Sequence, residues 1–153
     1  MKGNSAHRVS SQTAPHVNQK INREIETNIA YFAAHPEQID RRLEELDREW
    51  DVERALETGA TSLSLLGLLR TFMGRPRWLL LTVAVQGFFL QHAIQGWCPP
   101  LEVFRRMGFR TRSEIDQERY ALKALRGDFR EVPQPEVLEP LGAVGRVFDI
   151  VRR

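Results

Sequence analysis

Apolar residues recur three or four positions apart from Val17 through Ile21, Ile25 and Ile29 to Phe32, with Lys20, Arg23, Glu24 and Glu26 filling the gaps. That spacing gathers the apolar side chains on one face of a helix, so it predicts a short amphipathic helix from about Pro15 to the Ala33-Ala34-His35 turn. Pro36 suits the first position of a second helix, where its missing N–H would be unpaired in any case. In that helix Ile39, Leu43, Leu46 and Trp50 share a narrow stripe. Glu37 and Arg41, Arg41 and Glu45, and Glu44 and Arg48 stand four apart, each pair adding about 0.2–0.5 kcal/mol. The pattern predicts a solvated helix that docks by one edge, with Trp50 as its anchor on the apolar middle of the chain.

The pattern changes at Glu57. Residues 58–69 (TGATSLSLLGLL) carry no charge, and the apolar run resumes at Phe72 and Met73 beyond Arg70. A Gly74-Arg75-Pro76-Arg77 turn follows. Residues 78–101 (WLLLTVAVQGFFLQHAIQGWCPPL) are twenty-four positions without Lys, Arg, Asp or Glu. At about 1.5 Å per residue, a helix from Trp78 to Trp97 reaches roughly the thickness of a bilayer's hydrocarbon core. The two tryptophans bracket the run as amphipathic rings do at membrane interfaces. The first run covers a bilayer only if Arg70 snorkels to the headgroups.

Two helical readings of this hairpin follow. Gly, Ser and Thr in the first run suit close packing of helices in a membrane. Gln86, Gln91, His92 and Gln95 are costly against lipid and suit a buried hairpin in a soluble protein equally well.

Beyond Pro99-Pro100, LEVFRRMGF fits one or two amphipathic turns with Arg105 and Arg106 outward. Ser113 precedes Asp116 by three positions as a helix cap, Ile115, Leu122 and Leu125 form the next stripe, and Gly127 is the stop. The prolines of DFREVPQPEVLEP indicate an extended linker, and LGAVGRVFDIVRR a short strand or surface segment. Residues 1–15, polar and without period, read as a disordered tail. The expected organisation is therefore a tail at 1–15, amphipathic helices at 16–56, and an apolar helical hairpin at 57–112. An amphipathic helix at 113–127 and a Pro-rich linker and tail at 128–153 complete it. The fold class is all-α.

Composition narrows the chemistry. Lys and Arg number 22 and Asp and Glu 20, so the net charge is +2, with both signs interspersed. That is not the surface of a nucleic-acid binder. The single cysteine, Cys98, excludes an intrachain disulfide, and the four histidines lie far apart without metal-ligand spacing. No nucleotide-binding, zinc-protease or nucleophile-elbow motif is present. The first sixteen residues fit neither a secretory signal nor a transit peptide.

From about Val52 to Thr111 the chain resembles the DUF2892-type inner-membrane domain, which also occurs fused to rhodanese sulfurtransferases in YgaP-like proteins. A charged entry helix leads into ERALETGATSLSLLGLL and RPRWLLLTVAVQGFFLQHAIQGW, and CPPLEVFRRMGF terminates the unit. Gly96, Cys98, Pro99 and Gly108 stand where the family has its Gly-x-Cys-Pro and a later Gly. The resemblance implies a pair of membrane helices that self-associates, placed in the inner (cell) membrane. No rhodanese domain is present, so it implies no sulfur-transfer chemistry.

The expected function is that of a non-enzymatic, self-associating membrane or membrane-associated helical protein, without cofactor, metal or nucleic acid. Its partners would be the bilayer, further copies of itself, and a protein met through the amphipathic helices. A soluble, cytoplasmic all-helical oligomer is the alternative, and a thiol-based sulfur carrier or adaptor using Cys98 the distant one. Cys98 would be a reactive thiol if Arg105 or Arg106 lowered its pKa, or else an apolar plug beside Pro99 and Pro100. Gln91 and Gln95, four apart, share a helix face that His92 adjoins, and are expected in a helix–helix contact with Thr61, Ser62 or Ser64 or with a second copy. Arg70, Arg75 and Arg77 at the turn nearly balance Arg105, Arg106, Arg110 and Arg112 at the other end, so positive charge assigns no orientation.

Overall fold

The computed structural model describes residues 7–130, all of whose regular structure is helical. Seven α-helices follow in order: α1 (Arg8–Gln12), α2 (Pro15–Ala34), α3 (Ile39–Arg48), α4 (Val52–Phe72), α5 (Leu79–Gln95), α6 (Pro99–Arg106) and α7 (Arg112–Arg126). Single 3-10 turns at Pro36–Gln38 and Pro76–Trp78 precede α3 and α5. The Pro-rich linker and terminal segment expected beyond residue 130 lie outside the described residues.

The apolar stripes assemble a helical head. Phe32 of α2, Ile39, Leu43 and Leu46 of α3, and Ile115 and Leu122 of α7 form one core. Val17, Ile21 and Ile25 bury a second patch on α2. A third core joins Val9 of α1, Val52 and Leu56 at the base of α4, Cys98, and Leu101 of α6. Residues 7–15, expected as part of a disordered tail, are thus structured instead. The reason is Val9, a lone apolar residue whose burial between α4 and α6 no periodicity announces.

Local chemistry sets the helix ends. Asp51 caps α4 by accepting from the Arg54 N–H at 2.7 Å. The cap of α7 is Thr111, not Ser113: Thr111 Oγ1 accepts from the Glu114 N–H at 3.3 Å, while the Glu114 carboxylate accepts from the Thr111 N–H at 2.7 Å. This reciprocal arrangement satisfies two otherwise free donors. Gly127 ends α7, as its position in the sequence indicates.

From the head, α4 and α5 extend as an antiparallel hairpin. Within the helical stretch Pro76–Gln95 an 18-residue window has a mean hydropathy of 1.2, and the stretch is long and apolar enough to cross a membrane; it is the one such helix among the described residues. A second spanning helix is therefore not established for α4, whose length is sufficient but whose Ser, Thr and Gly dilute its hydropathy. Trp50, expected as an anchor on the hairpin, is 44% exposed and stacks under the Arg54 guanidinium at 4.5 Å instead. It falls just after α3 has ended, so the stripe formed by Ile39, Leu43 and Leu46 does not carry it inward.

Candidate functional site

The buried residues between the two long helices of the hairpin are small or polar. Ser64 and Gly67 of α4 and Thr82 of α5 are buried between the two helices. Gln86 Nε2 donates to Ser64 Oγ at 2.8 Å, and Thr82 Oγ1 donates to the Ser64 carbonyl at 3.2 Å. Thr71 Oγ1 donates to the Gly67 carbonyl at 2.8 Å. Small residues allow the helix axes to approach, and the Thr82 hydroxyl and Gln86 amide join them.

The outer faces are the reverse. Leu65, Leu69, Val83 and Leu90 are exposed, Leu80 is 72% exposed and Ile94 73%. Only 6% of the apolar window of α5 is buried.

At the tip, the Arg70 guanidinium lies 5.7 Å from the Trp78 ring centroid, and Arg75 and Arg77 occupy the turn. At the base, Trp97 is partly exposed. The tryptophans thus stand near opposite ends of the apolar zone, with cations gathered beyond the first.

Gln91 and Gln95 do not join α4 within the chain. Gln91 Nε2 lies 3.5 Å from Gln95 Oε1 on the outer side of α5. The amide that reaches α4 is Gln86, about 140° around the helix from Gln91, and it takes Ser64, a partner expected for Gln91 or Gln95. His92 is buried at the base, its backbone carbonyl accepting from the Gly96 N–H at 2.7 Å and its Nδ1 unpaired. Beside it, Arg8 Nη1 donates to the Ala93 carbonyl at 2.8 Å. Gly96 ends α5 with φ +77°, and a Cβ there would stand 2.7 Å from Arg8 Cγ, so glycine is needed both for the turn and for the seating of α1.

Cys98 is 4% exposed, and burial pushes its thiol above the ordinary range. The arginines that would activate it are engaged elsewhere. Arg106 Nε donates to Glu102 at 3.0 Å. Arg105, expected outward, is 1% exposed and clasped by Glu114 through bonds of 2.6 and 2.7 Å. It also donates to Thr13, Asn18 and the Phe109 carbonyl. Leu101 and Arg105 are four apart, so the face that buries the leucine carries the arginine in with it.

Sequence reasoning missed this clasp and the buried ion pairs around Glu118 beside it. Glu118, fully buried, accepts from Arg42 Nε at 2.8 Å and pairs with Arg110, which also donates to Glu49 at 2.7 Å. Arg119 pairs with Asp116 and donates to the Leu46 carbonyl at 3.1 Å. Burial pushes Glu114 and Glu118 upward, but their arginine hydrogen bonds outweigh it and hold both below the usual carboxylate range. One signal was available: Glu118 and Arg119 fall on the same α7 stripe as Ile115 and Leu122. No group of three or more His, Cys, Asp or Glu side chains is arranged to hold a metal among the described residues. In comparisons with known proteins the chain matches no family model, no curated protein and no solved structure.

Proposed function

We propose that this chain is a non-catalytic, membrane-associated helical protein whose hairpin lies in lipid while its charged head stays in water. One observation carries the reading: the buried residues of the α4–α5 seam are Ser64, Gly67 and Thr82, with Gln86 bonded to Ser64 from its edge, while Leu65, Leu69, Leu80, Val83, Leu90 and Ile94 face away from it. In hydrocarbon, apolar side chains gain nothing by leaving lipid for a neighbouring helix. Close contact of small residues and interhelical hydrogen bonds then hold helices together. The sequence resemblance to the DUF2892-type hairpin points the same way, toward an inner-membrane location. Self-association and contact with a protein partner through the exposed faces of α2 and α3 belong to this proposal.

The second reading is a soluble all-helical oligomer whose copies cover one another's hairpins. It is favoured by α5 being the one described helix that reaches the spanning criterion, at a mean hydropathy of 1.2, and by the outward amides Gln91 and Gln95. Alkaline carbonate extraction of the native membrane fraction, followed by light scattering with and without detergent, separates the two. Retention in the pellet and dependence on detergent are expected. Full release as a defined oligomer in plain buffer would overturn the membrane reading in favour of the second. A sulfur-carrier role for Cys98 has no support in its surroundings, because burial raises the thiol rather than activating it.

A further inference from the structure

Where the hairpin meets the head, α4, α5 and α6 surround a cavity of about 220 Å³. Gly59 and Ala60 line it from α4, Phe88 and Phe89 from α5, and Cys98 and Phe104 from the far side. The space exists because α4 presents small residues there: a Cβ on Gly59 would meet no atom within 4 Å. A buried water needs about two to four polar partners, and this lining offers little beyond a thiol, so the cavity does not suit water. It opens sideways. Leu63 and Phe88 line it and are also exposed on the outer surface, which makes the cavity continuous with the hairpin's apolar faces.

We propose that this cavity seats one acyl chain of a bilayer phospholipid. The inference rests on the membrane reading of the hairpin and adds a defined lipid position to it. A chain already in the surrounding lipid enters from the side without crossing a polar barrier. It gains dispersion contacts with the three phenylalanine rings that an empty cavity forfeits. The level is also right for a chain anchored by its headgroup at the interface: Phe88 and Phe89 lie about two helical turns inside Gln95 and Trp97.

The test uses the full chain in phosphatidylethanolamine and phosphatidylglycerol vesicles doped with a phosphatidylethanolamine that carries a photoactivatable diazirine in its acyl chain. After irradiation, peptide mapping is expected to find label on residues 56–63 and 98–104 as well as on the outer face around Leu80 and Ile94. Ala60→Phe, which fills the cavity, should lose most of the first label and keep the second; Gly59→Leu provides an independent filling variant. Wild-type label confined to the outer face, or cavity label that neither variant reduces, overturns the proposal and leaves the membrane reading standing. An unlabelled cavity through which dimers cross-link shows a second copy in the place of lipid and also overturns it. No label anywhere defeats the membrane reading and this proposal together.

Discussion

Gly67 faces Thr82 so closely across the hairpin that a Cβ on the glycine would stand 2.3 Å from Thr82 Oγ1 and 3.1 Å from the Trp78 carbonyl oxygen. The same Thr82 hydroxyl donates to the Ser64 carbonyl. The hairpin is therefore held together by the contact that forbids a larger residue at position 67.

Gly67→Ala sets two effects against each other. Alanine favours a helix interior by about 1 kcal/mol over glycine, while overpacking costs about 1–3 kcal/mol. At this separation the clash wins, and a net loss of stability is expected in thermal unfolding. In a Thr82→Ala background the obstructing hydroxyl is gone, so the same substitution should cost much less. Equal costs in both backgrounds would show that the two residues are not coupled.

The three glutamines of α5 should separate by face. Gln86→Leu removes the donor to Ser64 Oγ and is expected to cost about 1 kcal/mol, the usual net worth of a hydrogen bond. Replacing Gln91 and Gln95 together with leucine leaves the seam intact, so the intrachain hairpin should keep its stability and helicity. If that double variant alters the oligomeric distribution, the outer face of α5 joins copies. Unchanged association would remove these amides from any interface.

Arg105 is the most consequential single side chain in the head, because Glu114, Thr13, Asn18 and the Phe109 carbonyl all converge on it. Arg105→Met strands a buried carboxylate and should cost about 3–5 kcal/mol. Adding Glu114→Gln removes that charge while preserving an acceptor for the Thr111 N–H, so the double variant should recover part of the loss. Chemical denaturation of the two variants checks this directly.

The carboxylates also set an acid limit. Glu114 and Glu118 are held below the usual glutamate range in the folded head, so the unfolded chain binds their protons more readily. Their contribution is fully present above the ordinary glutamate value of about 4.3 and is lost as pH falls through the lower folded values. Stability followed from pH 7 downward should hold level as far as these groups are concerned, then fall in acid. In Glu118→Gln that acid fall should be shallower, from a lower plateau at neutral pH.

Much of the helical architecture was legible in the order of residues. Spacings of three and four place Val17, Ile21, Ile25 and Phe32, or Ile39, Leu43 and Leu46, on one side of a helix whatever lies opposite. Gly127 ends α7, and Pro36 and Pro76 begin new turns, for backbone reasons that act locally. The uncharged run at 78–101 likewise announced an apolar helix that ends before Pro99. Tertiary structure alone decided which polar groups go inside. Arg42 meets Glu118 across 76 positions, and Arg110 meets Glu49 across 61. A charge is tolerated in a core only when such a partner arrives in reach, and the sequence around each residue carries no measure of that distance. The hairpin's polarity was settled in the same way: Gln86, not Gln91 or Gln95, met Ser64, because the rotation of α5 against α4 is fixed by the close fit of Gly67 on Thr82 and by the packing of both helices onto the head.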